Sequence, residues 1–222
     1  MEAQATYTPE QRSSEWFNQR IGKFTSSEIY KLMTEPRAKA AKDAGELSEG
    51  AKTYVRKKIA EQYGFIPDYT TEAMAWGVEQ EFYAKAWYEK LTGNRVAECG
   101  FIEVSPTYGG SPDGKVFEGI AQGALEVKCP FSSEHHIGHC MIDSAEYFKI
   151  EYPEYYWQCV SHMIVLNVEW CDFVSFDSRI DKEIGLFVFR LELDKADAER
   201  LKAKVQKATE YLNEVKTKLK LA

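Results

Sequence analysis

Apolar positions along this chain follow two rhythms. Trp16, Phe17 and Ile21, then Ile29, Leu32 and Met33, then Tyr54, Ile59 and Tyr63 recur at about one-turn spacing, as on the face of a helix. Thr8 and Pro9 open the first of these helices and Gly22 closes it; Thr25 to Glu28 opens the second; Ser48 caps the third, to about residue 63. Thr70 or Thr71 starts a longer helix to Leu91, stopped by Gly93, and Tyr152-Pro153-Glu154 starts another through Leu166. After Asp194, the residues Ala198, Leu201, Val205, Ala208, Leu212, Val215 and Leu219 alternate steps of three and four, a heptad-like stripe that packs on the domain or on a second subunit. The other rhythm is strand-like: residues 94–110 alternate, and runs near 171–177 and 185–192 are continuously apolar or alternating. Residues 35–50, rich in Lys, Ala, Gly and Glu, read as a mobile loop. Helices around a strand-rich middle predict one α/β domain spanning residues 1–222, a mixed central sheet flanked by helices with a long helix at the end.

The chemistry gathers at residues 111–130. Pro112-Asp113-Gly114 has turn composition, and Leu125 to Lys128 is a strand that Pro130 ends. Lys115-Val116-Phe117 and the turn-prone residues 118–123 make the two segments a hairpin. Side chains two apart on a strand share a face, so Glu126 and Lys128 point one way while Leu125 and Val127 point into a core. The hairpin returns Asp113 beside Glu126. Two partly exposed carboxylates and an ammonium at one spot suit a hard divalent cation and a phosphate; a surface salt bridge on a hairpin is the plainer alternative.

Composition bounds the reading. The chain has 222 residues and no apolar run near the length of a membrane span, and its first residues are no signal peptide, which places it in the cytoplasm. Its five cysteines form no CxxC pair, against a disulfide framework or a zinc ribbon and in favour of small buried side chains. Net charge is −7, awkward for a nucleic-acid partner, but residues 1–58 hold 11 Lys and Arg against 8 Asp and Glu, while residues 59–222 hold 17 against 27. A basic groove in an acidic protein can still meet phosphate.

Other candidates are weaker alone. Arg20, with Ser26 or Ser27 at a helix N-terminus, could form an anion pocket, or be a cap with a surface arginine. Arg56, Lys57 and Lys58 crowd one side of their helix, to touch DNA or to be solvated. His136 and His139 are three apart, but no partner completes a zinc set, and they read as surface histidines; His162 reads as structural. Glu81 lies four residues past Gly77 on one helix face, where a small residue would let the helix approach the sheet; Glu79 is its competitor.

Pro112-Asp113 followed by Glu126-Val127-Lys128 resembles the PD-(D/E)XK nuclease motif. Ser111 to Gly114 with Leu125 to Ser132 resembles, more narrowly, the phage lambda exonuclease (YqaJ-type viral recombinase) family, and the likeness runs from about Trp16 to about Leu166. It also covers Arg20 to Glu28, Ala75-Trp76-Gly77 with Glu81, and Gln158. The resemblance implies a restriction-endonuclease-like fold and Mg2+-dependent 5′-to-3′ exonuclease action on double-stranded DNA ends, releasing 5′-mononucleotides and leaving 3′ overhangs for recombination in a bacterial host. It implies that Glu81, Asp113, Glu126 and the Val127 carbonyl hold two Mg2+ ions, for which Mn2+ substitutes. Lys128 would position or activate water and Gln158 bind phosphate or water. Arg20, Ser27 and Ser111 would take a 5′ phosphate, and Met74 would wedge the terminal base pair. A ring homotrimer and a single-strand annealing partner are implied as well. A structure-specific endonuclease or repair nuclease, or a DNA-end-binding module without catalysis, are the alternatives.

Overall fold

The structure, a computed structural model, describes residues 11–64, 71–181 and 183–221. The helix start expected at Thr8 and Pro9, and Thr70, lie outside them. In chain order come α1 (Ser14–Arg20), β1 (Phe24–Thr25), a 3-10 helix (Ser26–Leu32), α2 (Lys39–Asp43), α3 (Glu49–Tyr63) and α4 (Glu72–Thr92). Then follow β2 (Arg95–Ala97), β3 (Ile102–Ser105), β4 (Tyr108–Gly110), β5 (Gly114–Glu118), β6 (Ala121–Lys128), α5 (Ser133–His139), α6 (Ala145–Glu151) and α7 (Pro153–Leu166). Strands β7 (Trp170–Phe176) and β8 (Leu186–Glu192) precede α8 (Lys195–Leu219).

The main sheet runs β2-β5-β6-β7-β8, and only the β6–β7 pair is parallel. Antiparallel β5 and β6 form the expected hairpin, closed through Gly119 at φ 61°, a conformation that suits glycine. The parallel pair requires a long crossover, which α5, α6 and α7 supply. The expected strand at 94–110 is instead three short ones in two sheets: β2 edges the main sheet, while β3 and β4 join β1 in a separate sheet ordered β1-β4-β3. Gly100 and Pro106 interrupt the alternation there, and a periodicity of two cannot say which sheet receives each piece.

Strand β6 divides two cores. Leu125 and Val127 pack beneath α4 with Ala84, Tyr88 and Val174, while Ala124 belongs to the larger cluster under α7, with Phe173, Val160 and Met163. Each fully buried Leu or Phe of this kind stabilises the fold by about 1.5–3 kcal/mol. Local signals set the helix ends as expected: Ser48 Oγ accepts the Ala51 N–H, Asp194 Oδ1 accepts the Asp197 N–H, and Gly93 closes α4 at φ 73°. The α8 stripe is buried from Ala198 to Leu212, and Leu219 is exposed. The second expected helix is a 3-10 helix whose N-cap Thr25 makes no side-chain cap bond. Lys58 is buried against Glu28 and Glu61 rather than offered to solvent. Among the described residues no helix is long and apolar enough to cross a membrane.

Candidate active site

The sheet delivers three of the chemical side chains. Gly114 pairs with Leu125, and the Asp113 N–H donates to the Leu125 carbonyl, so Asp113 lies at the strand entry beside Glu126. The Val127 N–H donates to Asp113 Oδ2 at 2.8 Å, which fixes that carboxylate across the hairpin. Lys128 Nζ stands 2.5 Å from Glu126 Oε1 and 3.3 Å from Gln158 Oε1. Glu126 is 1% exposed, so the expectation that both carboxylates are partly exposed holds only for half-buried Asp113. The cause is α7, which lies over this face of β6.

Helix α7 also brings His162 to Glu126. One turn after Gln158, it places Nε2 2.7 Å from Glu126 Oε2. Glu126 is held below the usual carboxylate range: burial pushes it up, but Lys128 and His162 outweigh that. An ionised carboxylate only accepts, so His162 Nε2 carries the donated hydrogen. His162 Nδ1 is then a buried atom with no partner. The signal was the i, i+4 spacing of Gln158 and His162, which puts both on one helix face.

Helices α4 and α1 complete the cleft, about 560 Å3 in volume. Glu81 lines it and Glu79 does not. Glu81 pairs with Arg12, a residue sequence reasoning passed over, and with Lys85 at 2.8 Å. Gly77 lines the same space, and a Cβ there would meet nothing within 4 Å; its smallness opens the cleft rather than packing the helix on the sheet. Met74 stands half-exposed at the rim.

A second polar group adjoins the carboxylates. Arg20 donates to Ser111 Oγ at 3.2 Å and reaches Ser27 Oγ at 3.5 Å. Its guanidinium lies 4.0 Å from the Trp16 ring centroid, and Trp16 Nε1 donates to the same Ser111 oxygen at 2.8 Å. Trp16 thus shapes this pocket, which its apolar character alone concealed. Ser26 is committed elsewhere, 2.8 Å from Ser161 Oγ, and a Cβ on Gly110 would collide with it. The 3-10 helix beside it is seven residues long and Thr25 makes no side-chain cap bond, and the full positive charge in this group is Arg20. Desolvation pulls Arg20 down to about 10, which leaves it charged at neutral pH, and among the described residues it makes no ion pair.

Charge in the cleft is not balanced. Burial, then Glu126, then Glu81 push Asp113 well above the usual range, against Lys128 and the Val127 N–H. Lys128 is held firmly protonated: burial opposes its charge, but Glu126 and Asp113 prevail. Among the described residues no three His, Cys, Asp or Glu side chains stand close enough as placed to hold a metal ion. Glu81 and Glu126 are instead tied to the protein's own cations, while burial and the two neighbouring carboxylates favour the neutral form of Asp113 in the metal-free cleft. An all-oxygen donor set with surplus negative charge fits a hard divalent cation.

The histidines of α5 are elsewhere. His136 and His139 are buried, not surface groups, because both Nδ1 atoms lie 2.8 Å from Ser175 Oγ on β7. Of the five free cysteines, Cys99, Cys159 and Cys171 are buried as expected, and Cys129 and Cys140 are half-buried.

Comparison with known proteins identifies the family. Residues 15–169, well over half the chain, match the model of the YqaJ-like viral recombinase domain. An alkaline exonuclease (LHK-Exo) from Laribacter hongkongensis is 31% identical, with a TM-score of 0.74, over 94% of this chain and 96% of that one. The same enzyme in complex with dAMP gives 29% identity and a TM-score of 0.72, over 93% and 98% of the two chains. A phage-related exonuclease from Haemophilus somnus 129PT, 19% identical, covers 89% and 96% with a TM-score of 0.72 and shares the fold. No protein with a curated description matches the chain. On the matched domain and the shared fold, this chain belongs to the YqaJ-like viral recombinase family.

Proposed function

We infer that this chain is a single-domain, Mg2+-dependent exonuclease that degrades the 5′ strand of double-stranded DNA from its ends, releasing 5′-mononucleotides and leaving 3′ overhangs for recombination. The observation that carries the reading is the junction of two unlike groups in one cleft: surplus carboxylates beside Lys128, and the guanidinium of Arg20, which makes no ion pair among the described residues. A relative 29% identical is solved in complex with dAMP, which supports a nucleotide ligand for this chain.

Asp113, Glu126, Glu81 and the Val127 carbonyl would hold the Mg2+ ions. Bound there, Mg2+ supplies Lewis-acid stabilisation of the phosphate and lowers the pKa of attacking water; Mn2+ would serve in its place. The protein's own groups do the rest. Arg20, Ser111 and Ser27 hold the terminal 5′ phosphate and so set the register for each cut. Lys128, already an ammonium, orients water and offsets charge growing on the scissile phosphate, while Gln158, hydrogen-bonded to Lys128, presents its amide to the same phosphate. Met74 at the rim would part the terminal base pair.

The test is end-labelled duplex DNA with Mg2+. Shortening from the 5′ end, release of mononucleotides, faster digestion of 5′-phosphorylated than 5′-hydroxyl ends, and inertness of closed circles support the reading. Cutting of closed circles would favour the endonuclease alternative. Lys128→Ala should lower the single-turnover rate without matching loss of DNA affinity. We propose assembly as a closed homotrimer in the host cytoplasm, working with a single-strand annealing protein; the exposed Val78, Phe82 and Tyr83 on α4 offer apolar surface for a subunit contact. Light scattering that finds monomer alongside processive digestion would remove the ring.

A further inference from the structure

The catalytic cleft does not end at Lys128. A second pocket of about 420 Å3 shares Lys128 and Cys129 with it and is bounded by Phe131, His135, His139 and Tyr155. Among the described residues no Asp or Glu lines this pocket, in a chain of net charge −7. Its walls are aromatic. Phe131 is 50% exposed, and Tyr155 stacks on Phe173 with Lys128 Nζ 4.9 Å from its ring centroid.

Phe131 is exposed but held. The carbonyl of Pro130 accepts from Trp76 Nε1 at 3.1 Å and from Arg179 at 3.3 Å. The Trp76 ring meets Phe131 edge-on at 6.5 Å, and Arg179 covers Trp76 at 4.4 Å while bonded to Asp177 at 2.8 Å. Below, His139 is tied to Ser175. A large apolar ring is therefore fixed in water, beside a cation that reaches the catalytic carboxylates. No packing in the fold calls for its exposure.

We propose that this pocket receives the nucleobase on the 3′ side of the scissile phosphate, stacked on Phe131. The inference rests on the exonuclease reading above. In that reading the terminal 5′ phosphate lies against Arg20, and cleavage takes place at Asp113, Glu126 and Lys128. The strand must leave the cleft on the side away from Arg20. The space that adjoins Lys128 without reaching Arg20 is this pocket, and a phosphodiester entering it meets Lys128 and, among the described residues, no carboxylate. Stacking on an aromatic ring accepts any base, as an enzyme that digests arbitrary sequence needs. It also holds the downstream nucleotide unpaired, which keeps the next linkage in line with the catalytic groups.

The experiment places 2-aminopurine, whose fluorescence is quenched by stacking, at the second nucleotide of the 5′ strand or at the 3′-terminal nucleotide of the other strand. Binding is read with Asp113→Asn protein, so that the strand stays intact, with and without Phe131→Ala. We expect the first probe to be quenched and Phe131→Ala to abolish that quenching. In otherwise wild-type protein Phe131→Ala should raise KM about tenfold, and Phe131→Trp should stay within about twofold. Thermal melting should not change, since the ring is half-exposed. Quenching of the 3′-terminal probe alone, or an unchanged KM in active Phe131→Ala protein, overturns the assignment. Wild-type protein inactive on every duplex end would overturn the exonuclease reading first, and the pocket with it.

Discussion

Two buried carboxylates sit one register step apart on neighbouring strands, and they lead opposite lives. Asp172 on β7 pairs with Leu125 and faces α4; Glu126 on β6 pairs with Phe173 and faces α7. Asp172 is closed on every side: Tyr88 donates at 2.6 Å, and Arg190 donates at 2.8 and 3.0 Å. Arg190 is itself covered by Trp170 at 3.8 Å and paired with Glu118. Around Glu126 the network does not close. Its neighbour Asp113 is pushed up in pKa by burial and by the charges of Glu126 and Glu81, and His162 Nδ1 has no partner among the described residues. The lesson concerns what a buried charge is for. A fully satisfied carboxylate holds strands and helix together, and a partly satisfied cluster is open to a ligand.

Breaking the open cluster should have the largest effect. Glu126→Gln and Asp113→Asn should each lower hydrolysis by at least about a thousandfold in Mg2+, since both remove a metal donor. Asp113→Asn should at the same time raise the melting temperature of metal-free protein, because it relieves like-charge crowding. Near-normal turnover in either variant would end the comparison.

Breaking the closed cluster should do the reverse. Asp172→Ala leaves Arg190 and Tyr88 without their acceptor and should cost about 3–5 kcal/mol of stability in urea unfolding, with turnover per folded molecule preserved. A stability loss below about 1 kcal/mol would mean that the network contributes little.

A third buried group sharpens the contrast by pH. His136 Nε2 lies 2.7 Å from the Ile184 carbonyl, so it donates, its Nδ1 accepts the Ser175 hydroxyl hydrogen, and His139 Nδ1 must donate to Ser175. Burial first, then His136, holds His139 down at about 4, against 6.5 for a free imidazole. Between those values the unfolded chain binds more protons than the folded one. Stability is therefore intact above pH 6.5 and declines as pH falls through the window to about 4, by about 3 kcal/mol in all. Urea melts across that range should show the slope, and His139→Gln should flatten it.

His162→Leu tests the link between the two halves of the open cluster. With Oε2 of Glu126 unheld, Mn2+ affinity measured by calorimetry should fall about 10–100-fold, and His162→Gln should recover part of it. Unchanged affinity in the Leu variant would return His162 to a packing role. The smallest effect is expected at Arg20. Arg20→Ala should reduce the advantage of 5′-phosphorylated over 5′-hydroxyl ends about tenfold, as expected for loss of a charge-assisted contact. A preference that survives intact would clear Arg20 of the role.

Local order along the chain settled much of this protein. The Ser48, Asp194 and Gly93 signals place helix ends because caps act within a few residues. The alternation at Leu125 to Lys128 puts Glu126 and Lys128 on one face because strand pleating has no other option. The turn at Pro112-Asp113-Gly114 returns Asp113 to that face. Depth and partnership were decided only in three dimensions. Periodicity names the face of an element but not what lies on it, so Glu126 became deeply buried only when α7 covered it. His136 and His139 moved from expected surface to core for the same reason. Lys58 found Glu28 from another segment, Glu81 found Arg12, and His162 found Glu126. The strand expected at 94–110 was divided between two sheets. Each of these outcomes depends on residues tens of positions apart meeting through long-range packing, and short-range pattern carries no record of such meetings.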